Sequence, residues 1–163
     1  MRVAVIADTH MPKGSRVLPV ECVLRLRAAD LILHAGDLSS VAFHDELRSF
    51  GPPVHAVHGN VDEPALQTLL PEELTVEVED VRLGLVHVPG PRPGKEARLI
   101  RRFPGCDAVV YGHTHLPQVE QVSGVWILNP GSPTERRRAP ARTMLELVVT
   151  GRRIAPRLVF LDT

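Results

Sequence analysis

The sequence has little cysteine, few aromatic residues, no long apolar run and no excess of charge. Its two cysteines, Cys22 and Cys106, lie far apart and outside any CxxC pattern, which argues against a disulfide framework and a thiolate zinc site. Any metal should therefore bind through nitrogen and oxygen ligands. Because no apolar stretch approaches the roughly 20 residues that span a bilayer, and the N-terminus lacks a signal-peptide layout, we expect a cytoplasmic protein with no membrane partner.

The balance of charge limits the partners further. The 19 basic and 19 acidic residues cancel, so no global field attracts nucleic acid, which we do not expect as a partner. The arginine-rich segment 134–142 lacks interleaved aromatic residues, so we interpret it as a solvated loop rather than a site for phosphorylated substrates or nucleic acid. The length of 163 residues predicts a single domain over residues 1–163, and a homo-oligomer is left open.

Hydrophobic periodicity predicts a β-α-β-α-β order in the first part of the chain, with strands at residues 3–7, 31–35 and 54–58 and helices at 21–28, 41–50 and 64–70. This order implies a parallel sheet with right-handed crossovers. The remainder is predicted as a hairpin (74–79 with 81–88), a helix (95–103), a strand beginning at 108, and two further hairpins (118–122 with 125–128, and 143–149 with 154–161).

Residues that can bind metals stand at the ends of five predicted strands: Asp8 and His10, Asp37, Asn60, His87, and His113 and His115. Because ligands in open α/β sheets bind outside the carboxyl ends of the strands, these segments are predicted to converge on one crevice. Two carboxylates, an amide oxygen and four imidazoles suit divalent Mn, Fe or Zn and are too many for one ordinary site. Two adjacent metal ions that share a bridging carboxylate are therefore predicted.

In the order and spacing of its motifs, the chain resembles the calcineurin-like metallophosphoesterase superfamily, most closely its small bacterial and archaeal phosphodiesterase branch. The matching motifs are Asp8-x-His10, Gly36-Asp37, Gly59-Asn60-x-Asp62, His87, Gly112-His113-x-His115 and Asn129-Pro130-Gly131-Ser132. The resemblance implies an α/β fold, a four-layer α/β/β/α sandwich with two mixed β-sheets. It also implies a metal-dependent phosphoesterase that hydrolyses phosphodiesters or small phosphomonoesters.

Carried over to this sequence, the resemblance implies two metal sites. Asp8, His10, Asp37 and His115 would hold one ion, and Asp37, Asn60, His87 and His113 would hold the other. The expected cofactor is two Mn²⁺ ions, with Fe, Zn, Ni and Co as alternatives. Paired metals roughly 4 Å apart stabilise attacking and phosphoryl oxygens, so in-line attack by a bridging hydroxide is the expected mechanism. Catalytic roles are assigned to Asp37, as the bridging ligand, and to His10, beside the phosphoryl group.

The sequence departs from the family pattern at two positions. Many catalytically strong relatives carry a histidine, which helps to protonate the leaving group, where this chain has Val61. Close relatives have His-Gly-His where this chain has His87-Val88-Pro89. Because proton donation typically contributes about 10²–10⁴-fold to the rate, we expect activity to favour good leaving groups such as aryl phosphates.

Four other polar residues receive structural interpretations. His34 lies within an apolar strand and is expected to be a hydrogen-bonded core residue or one that supports the ligands, rather than a ligand itself. Asp62 is expected to orient site residues, with capping of the following helix as the alternative. His44 and His55 are expected at ordinary surface or strand positions.

Two functions from different classes fit the pattern. The first is a phosphoesterase that acts on a small-molecule phosphate ester. The second is a catalytically weak metal-binding interaction scaffold, because the resemblance extends to the small retromer subunit, which uses this fold to bind partners. A nuclease or nucleotide pyrophosphohydrolase is weakly supported, given the neutral charge and the lack of an added capping domain. Retention of all seven ligand types favours metal binding, and we take the enzyme as the first interpretation.

Overall fold

The computed structural model describes residues 1–161, which form ten strands and four helices. In chain order these are β1 (Arg2–Ile6), α1 (Val20–Ala28), β2 (Leu31–His34), α2 (Val41–Arg48), β3 (Val54–Ala56), α3 (Pro64–Leu69), β4 (Glu73–Val78), β5 (Val81–Val86), α4 (Lys95–Arg102), β6 (Ala108–Val110), β7 (Gln118–Val122), β8 (Val125–Asn129), β9 (Thr143–Thr150) and β10 (Arg153–Phe160).

The strands form two five-stranded sheets. In the first, ordered β10-β9-β1-β2-β3, the three N-terminal strands are parallel and the last hairpin adds antiparallel to β1. In the second, ordered β4-β5-β6-β8-β7, three parallel central strands have an antiparallel strand at each edge. Both sheets are therefore mixed, and the two C-terminal hairpins belong to different sheets.

The alternation of side chains along β1 explains how the layers stack. Val3 and Val5 face one side of the strand and pack in the core between the two sheets, which also contains Leu83 of β5. Ala4 and Ile6 face the other side and pack with residues of α1, α2 and α3. A third core joins α4 to the outer face of the second sheet. The layers are thus helix, sheet, sheet and helix, and the predicted fold class is confirmed.

Several predicted elements end earlier in the structure, among them the strand predicted at 81–88, which stops at Val86, and the helix predicted at 41–50, which stops at Arg48. The strand predicted at residues 54–58 stops at Ala56, because the His58 amide leaves the sheet and donates to the Pro71 carbonyl at 3.0 Å. His44 is buried on α2 rather than placed on the surface or in a strand, because positions 43, 44 and 47 share one helical face and Phe43 and Leu47 turn that face inward. Among residues 1–161, no helix combines the length and apolarity needed to cross a membrane.

Replacing Leu83 with alanine tests the core between the sheets. Leu83 is fully buried, so Leu83→Ala should lower the free energy of unfolding by about 2–5 kcal/mol in a denaturant titration. The matched control is Leu24→Ala on α1, since that leucine is 62% exposed and its loss should change stability by less than about 1 kcal/mol. Equal losses in the two variants would contradict the layered core.

Candidate metal centre

The candidate ligands lie in loops that directly follow the parallel strands of both sheets. Backbone bonds hold these loops together: the Asp8 amide donates to the Gly36 carbonyl at 3.0 Å, and the Gly112 amide donates to the His87 carbonyl at 3.1 Å. The crevice therefore lies where the carboxyl ends of strands from two sheets meet, rather than along a single sheet. The structure brings all seven predicted ligand residues to this place.

Five of these seven residues have left-handed backbone conformations. The φ angles are 54° at Asp8, 46° at His10, 58° at Asp37, 72° at His113 and 59° at His115. Residues other than glycine rarely adopt this region, and each instance costs on the order of 1–3 kcal/mol unless the surroundings impose it. Such strain concentrates at functional sites, so the backbone itself marks this cluster as more than a polar loop.

The first group of candidate ligands consists of Asp8, His10 and His115. The Asp8 Oδ1 atom lies 3.4 Å from His115 Nε2 and 3.8 Å from His10 Nε2. The two Nε2 atoms are 3.4 Å apart. All three residues are buried. Their donor atoms are close enough together to bind one ion.

The second group is built around His87. Its Nε2 atom lies 3.0 Å from Asp37 Oδ2 and 3.1 Å from Asn60 Oδ1. The same Asn60 oxygen is 3.1 Å from His113 Nδ1. Both carboxylates reach toward both groups, because Asp37 Oδ2 is 3.8 Å from His10 Nε2 and Asp8 Oδ1 is 3.8 Å from His87 Nε2.

The polar atoms of the cluster fit a cation. His87 Nδ1 donates to the Ala35 carbonyl at 2.7 Å and His115 Nδ1 donates to the Glu135 carbonyl at 2.9 Å. In the neutral imidazoles, these bonds leave the Nε2 lone pairs facing carboxylate oxygens, an arrangement that a cation between them stabilises. Asp8 Oδ1 is buried and has no hydrogen-bond partner among residues 1–161. The residues therefore suit a divalent metal ion.

The pKa shifts in the cluster also indicate that it needs a positive charge. Burial lowers the pKa of His10, and also that of His113, which favours the neutral rings that bind metals. Burial by itself would raise the pKa of Asp37, but the hydrogen bond and charge of His87, the Val61 amide and nearby His10 together lower it. Burial likewise opposes protonation of His87, yet the Asp37 and Asp8 carboxylates raise its pKa. The buried carboxylates thus require positive charge, from a proton or from a metal.

Two glycines permit the close approach of these loops. At Gly36, where φ is +92°, an added Cβ would lie 2.6 Å from the His87 Cβ atom. At Gly59, an added Cβ would overlap the carboxylate of Asp37. The glycines in the Gly36-Asp37 and Gly59-Asn60 motifs are therefore required by packing against the candidate ligands themselves.

Asp62 connects the loop that follows β2 to the loop that follows β3. Its carboxylate accepts hydrogen bonds from the backbone amides of Asp37 at 3.1 Å, Ser39 at 2.6 Å and Gly59 at 2.6 Å. The alternative interpretation as a helix cap is wrong, because Glu63 occupies the N-cap position of α3. Asp62 thus contacts the backbone of the site rather than the ligand cluster.

His34 connects the loop that follows β1 to the loop that follows β2. Its Nδ1 atom accepts from the Gly36 amide at 3.1 Å, so its Nε2 atom donates to Thr9 Oγ1 at 2.9 Å. The ring is fully buried, and this burial, reinforced by nearby His87, lowers its pKa to about 3. It is a hydrogen-bonded core residue that lies beneath the cluster.

Three residues outside the predicted set of site residues support the site. Ser132 Oγ donates to the Asp8 carbonyl at 2.8 Å, and Thr134 Oγ1 donates to the Thr9 carbonyl at 2.7 Å. Glu135 contributes the carbonyl that orients His115. Ser132 belongs to a motif that the sequence had marked, but Thr134 and Glu135 act through backbone atoms or on backbone atoms, and residue type gives no signal for such contacts.

Two mixed sheets between helices, with Asp and His clusters at their carboxyl ends, define an α/β protein with a candidate metal centre. The calcineurin-like phosphoesterase superfamily domain matches residues 1–152, and the chain belongs to this family. Its relatives include archaeal proteins, in agreement with the small archaeal and bacterial branch inferred from the motifs.

Two curated relatives are probable metallophosphoesterases. The chain is 35% identical over 148 residues to that of Methanothermobacter thermautotrophicus, covering 89% of this chain and 84% of the relative. It is 34% identical over 152 residues to that of Methanocaldococcus jannaschii, covering 91% of this chain and 76% of the relative. Both alignments span most of each protein.

Solved structures show the same fold. Zn²⁺-complexed Vps29 from Entamoeba histolytica superposes with a TM-score of 0.78 at 26% identity, covering 99% of this chain and 100% of that one. A novel archaeal phosphodiesterase superposes with a TM-score of 0.73 at 19% identity, covering 98% and 100%. At that identity the second likeness concerns the fold alone.

Titration of His34 makes a prediction about stability and pH. The folded protein keeps His34 neutral down to about pH 3, whereas the unfolded chain binds a proton below about pH 6.5. Stability is therefore present above pH 6.5 and is lost as the pH falls between these values. In metal-free protein, His34→Gln should reduce the pH dependence of the unfolding free energy by about 1.4 kcal/mol per pH unit between roughly pH 4 and 6.

The matched control for this measurement is His55→Gln, because His55 is exposed on β3. Denaturant titrations of the three proteins across this pH range give the slopes. If the unfolding free energy of His34→Gln changes with pH as steeply as that of the wild type, the buried ring accepts a proton in the folded state.

Proposed function

We propose that this protein is a phosphoesterase that uses two divalent metal ions, Mn²⁺ in the first instance, to hydrolyse phosphodiesters or small phosphomonoesters. The observation that carries the proposal is the buried cluster of two carboxylates and three imidazoles, in which ring nitrogens face carboxylate oxygens at 3.0–3.8 Å: Asp8, Asp37, His10, His87 and His115. We further propose a cytoplasmic location, with which the free thiols of Cys22 and Cys106 agree.

The residues of the chain divide the work as follows. Asp8, His10, Asp37 and His115 would hold one cation, and Asp37, Asn60, His87 and His113 the other, with Asp37 shared. When bound, the two cations supply an activated water nucleophile and neutralise negative charge on the phosphoryl oxygens. His10 is kept neutral by burial, which lowers its pKa, and its ring lies beside both carboxylates, where we place the phosphoryl group.

The rim of the site supports a preference for esters with good leaving groups. Val61 is 54% exposed and its side chain carries no proton to donate. Three exposed apolar side chains each follow a candidate ligand directly: Val61 after Asn60, Val88 after His87 and Leu116 after His115. Apolar surface at this position favours an aromatic or aliphatic ester group over a highly charged one.

A non-catalytic interaction scaffold is the second candidate. It is favoured by one observation, the structural likeness to Zn²⁺-complexed Vps29 at 26% identity. Both candidates require metal binding, so turnover separates them. A chain that binds Mn²⁺ but hydrolyses neither monoesters nor diesters would support the scaffold.

The shared carboxylate is tested by Asp37→Asn. This substitution keeps the shape of the side chain and removes the negative charge that both groups face. Metal analysis should show fewer bound ions per chain, and Mn²⁺-dependent hydrolysis of an aryl phosphodiester should fall by at least about 10²-fold. Asp45→Asn on α2 is the control, because Asp45 is exposed. Full activity in Asp37→Asn would refute the assignment of Asp37, and a wild-type protein that binds no divalent metal would refute the enzyme.

Restoring an imidazole at the rim tests the missing proton donor. Val61→His places a titratable group next to Asn60 without filling buried space, since Val61 is exposed. Hydrolysis of an alkyl phosphodiester should rise by about 10-fold or more, whereas hydrolysis of the matched aryl ester should change little. Val61→Phe, which adds a ring without a proton donor, is the control. An equal rise for both esters would argue against leaving-group protonation as the limiting step.

A further inference from the structure

Arg16 lies in the loop between β1 and α1, outside every motif of the site. Its Nη1 atom donates to the His10 carbonyl at 3.3 Å and lies 3.5 Å from Glu135 Oε2. Only 17% of the side chain is exposed. A single guanidinium therefore joins the backbone of a candidate ligand to a carboxylate 119 positions further along the chain.

Glu135 continues this line of contacts to a second imidazole. Its carbonyl accepts the Nδ1 proton of His115 at 2.9 Å, and its amide donates to Ser132 Oγ at 2.9 Å. The Oε2 atom is buried and has no hydrogen-bond partner in the described chain. The Arg16 guanidinium faces this buried Oε2 atom at 3.5 Å. The Nε atom of Arg137 lies 3.7 Å from the other carboxylate oxygen, Oε1.

We propose that Arg16 and Glu135 are positioning residues that hold His10 and His115 in place and so set the affinity of one half of the metal centre. The contacts form a continuous bracket that runs from the His10 backbone through Arg16 and Glu135 to the His115 ring. The Nε2 atoms of the His10 and His115 rings lie 3.4 Å apart. The inference rests on the proposed function only in requiring that cations bind at this cluster.

The other half of the centre is held independently. His87 donates to the Ala35 carbonyl, and Asp37, which both ions would share, is fixed by the amide of Val61. Neither contact involves the bracket. Loss of Arg16 or Glu135 should therefore weaken the binding of one metal ion and spare the other.

Charge alone predicts opposite effects for two variants, whereas positioning predicts the same effect for both, and this difference separates positioning from a simple electrostatic effect. Arg16→Met removes a positive charge near the site, so electrostatics alone would strengthen cation binding. Glu135→Gln removes a negative charge, so electrostatics alone would weaken it. If the pair positions the two imidazoles, both variants should weaken the same ion.

The experiment is calorimetric titration of metal-free protein with Mn²⁺. We expect two binding events in the wild type, and in both Arg16→Met and Glu135→Gln a loss of about 10–100-fold in affinity for one event only. Arg102→Met and Glu73→Gln are the matched controls, because they remove a surface ion pair between α4 and β4 that lies outside the cluster. Thermal unfolding of the metal-free variants checks that each one folds.

Three results would overturn the inference: unchanged affinities in both variants, stronger binding in Arg16→Met, or equal weakening of both binding events. A wild-type protein that binds no Mn²⁺ would overturn both this inference and the proposed function. A wild-type protein that binds two Mn²⁺ ions without hydrolysing any ester would contradict the proposed function alone, and the comparison of variants would still decide the role of the bracket.

Discussion

The structure depends on two buried carboxylates that require positive charge. Asp8 and Asp37 are almost completely removed from solvent and face imidazole nitrogens across 3.0–3.8 Å. Burial of charge without a partner is strongly unfavourable. The two carboxylates raise the pKa of His87 despite its burial, so a protonated His87 compensates part of their negative charge in the metal-free protein. A divalent cation compensates this negative charge without a proton and leaves the ring nitrogens free to coordinate. The fold therefore favours metal binding.

The surrounding fold offsets the strain that this cluster imposes on the backbone. The left-handed conformations of Asp8 and Asp37 place their side chains in the crevice, and both loops are secured by hydrogen bonds with residues outside the ligand cluster. Ser132 donates to the Asp8 carbonyl, and Asp62 accepts from the Asp37 amide. Such support holds the ligands rigid before a cation arrives, which reduces the ordering that binding would otherwise require.

Much of the fold and the site could be predicted from the sequence, and the reasons are physical. Apolar runs that end at Asp8, Asp37 and His87 mark strands with polar carboxyl ends, so the convergence of the ligands follows from topology. The left-handed backbone conformations of the candidate ligands and the burial of His44 could not be predicted in this way, because they depend on packing between distant segments. The role of Glu135 was equally inaccessible, because its carbonyl is common to every residue type.

The two halves of the centre differ in what holds them. His87 is fixed by the Ala35 carbonyl, which belongs to the backbone at the end of a central parallel strand. His115 is fixed by the Glu135 carbonyl, which belongs to a loop that side chains hold in place. Substitution in that loop should therefore disturb the His115 side of the cluster while leaving the sheets intact. The fold can thus keep its stability while the geometry of this part of the cluster changes.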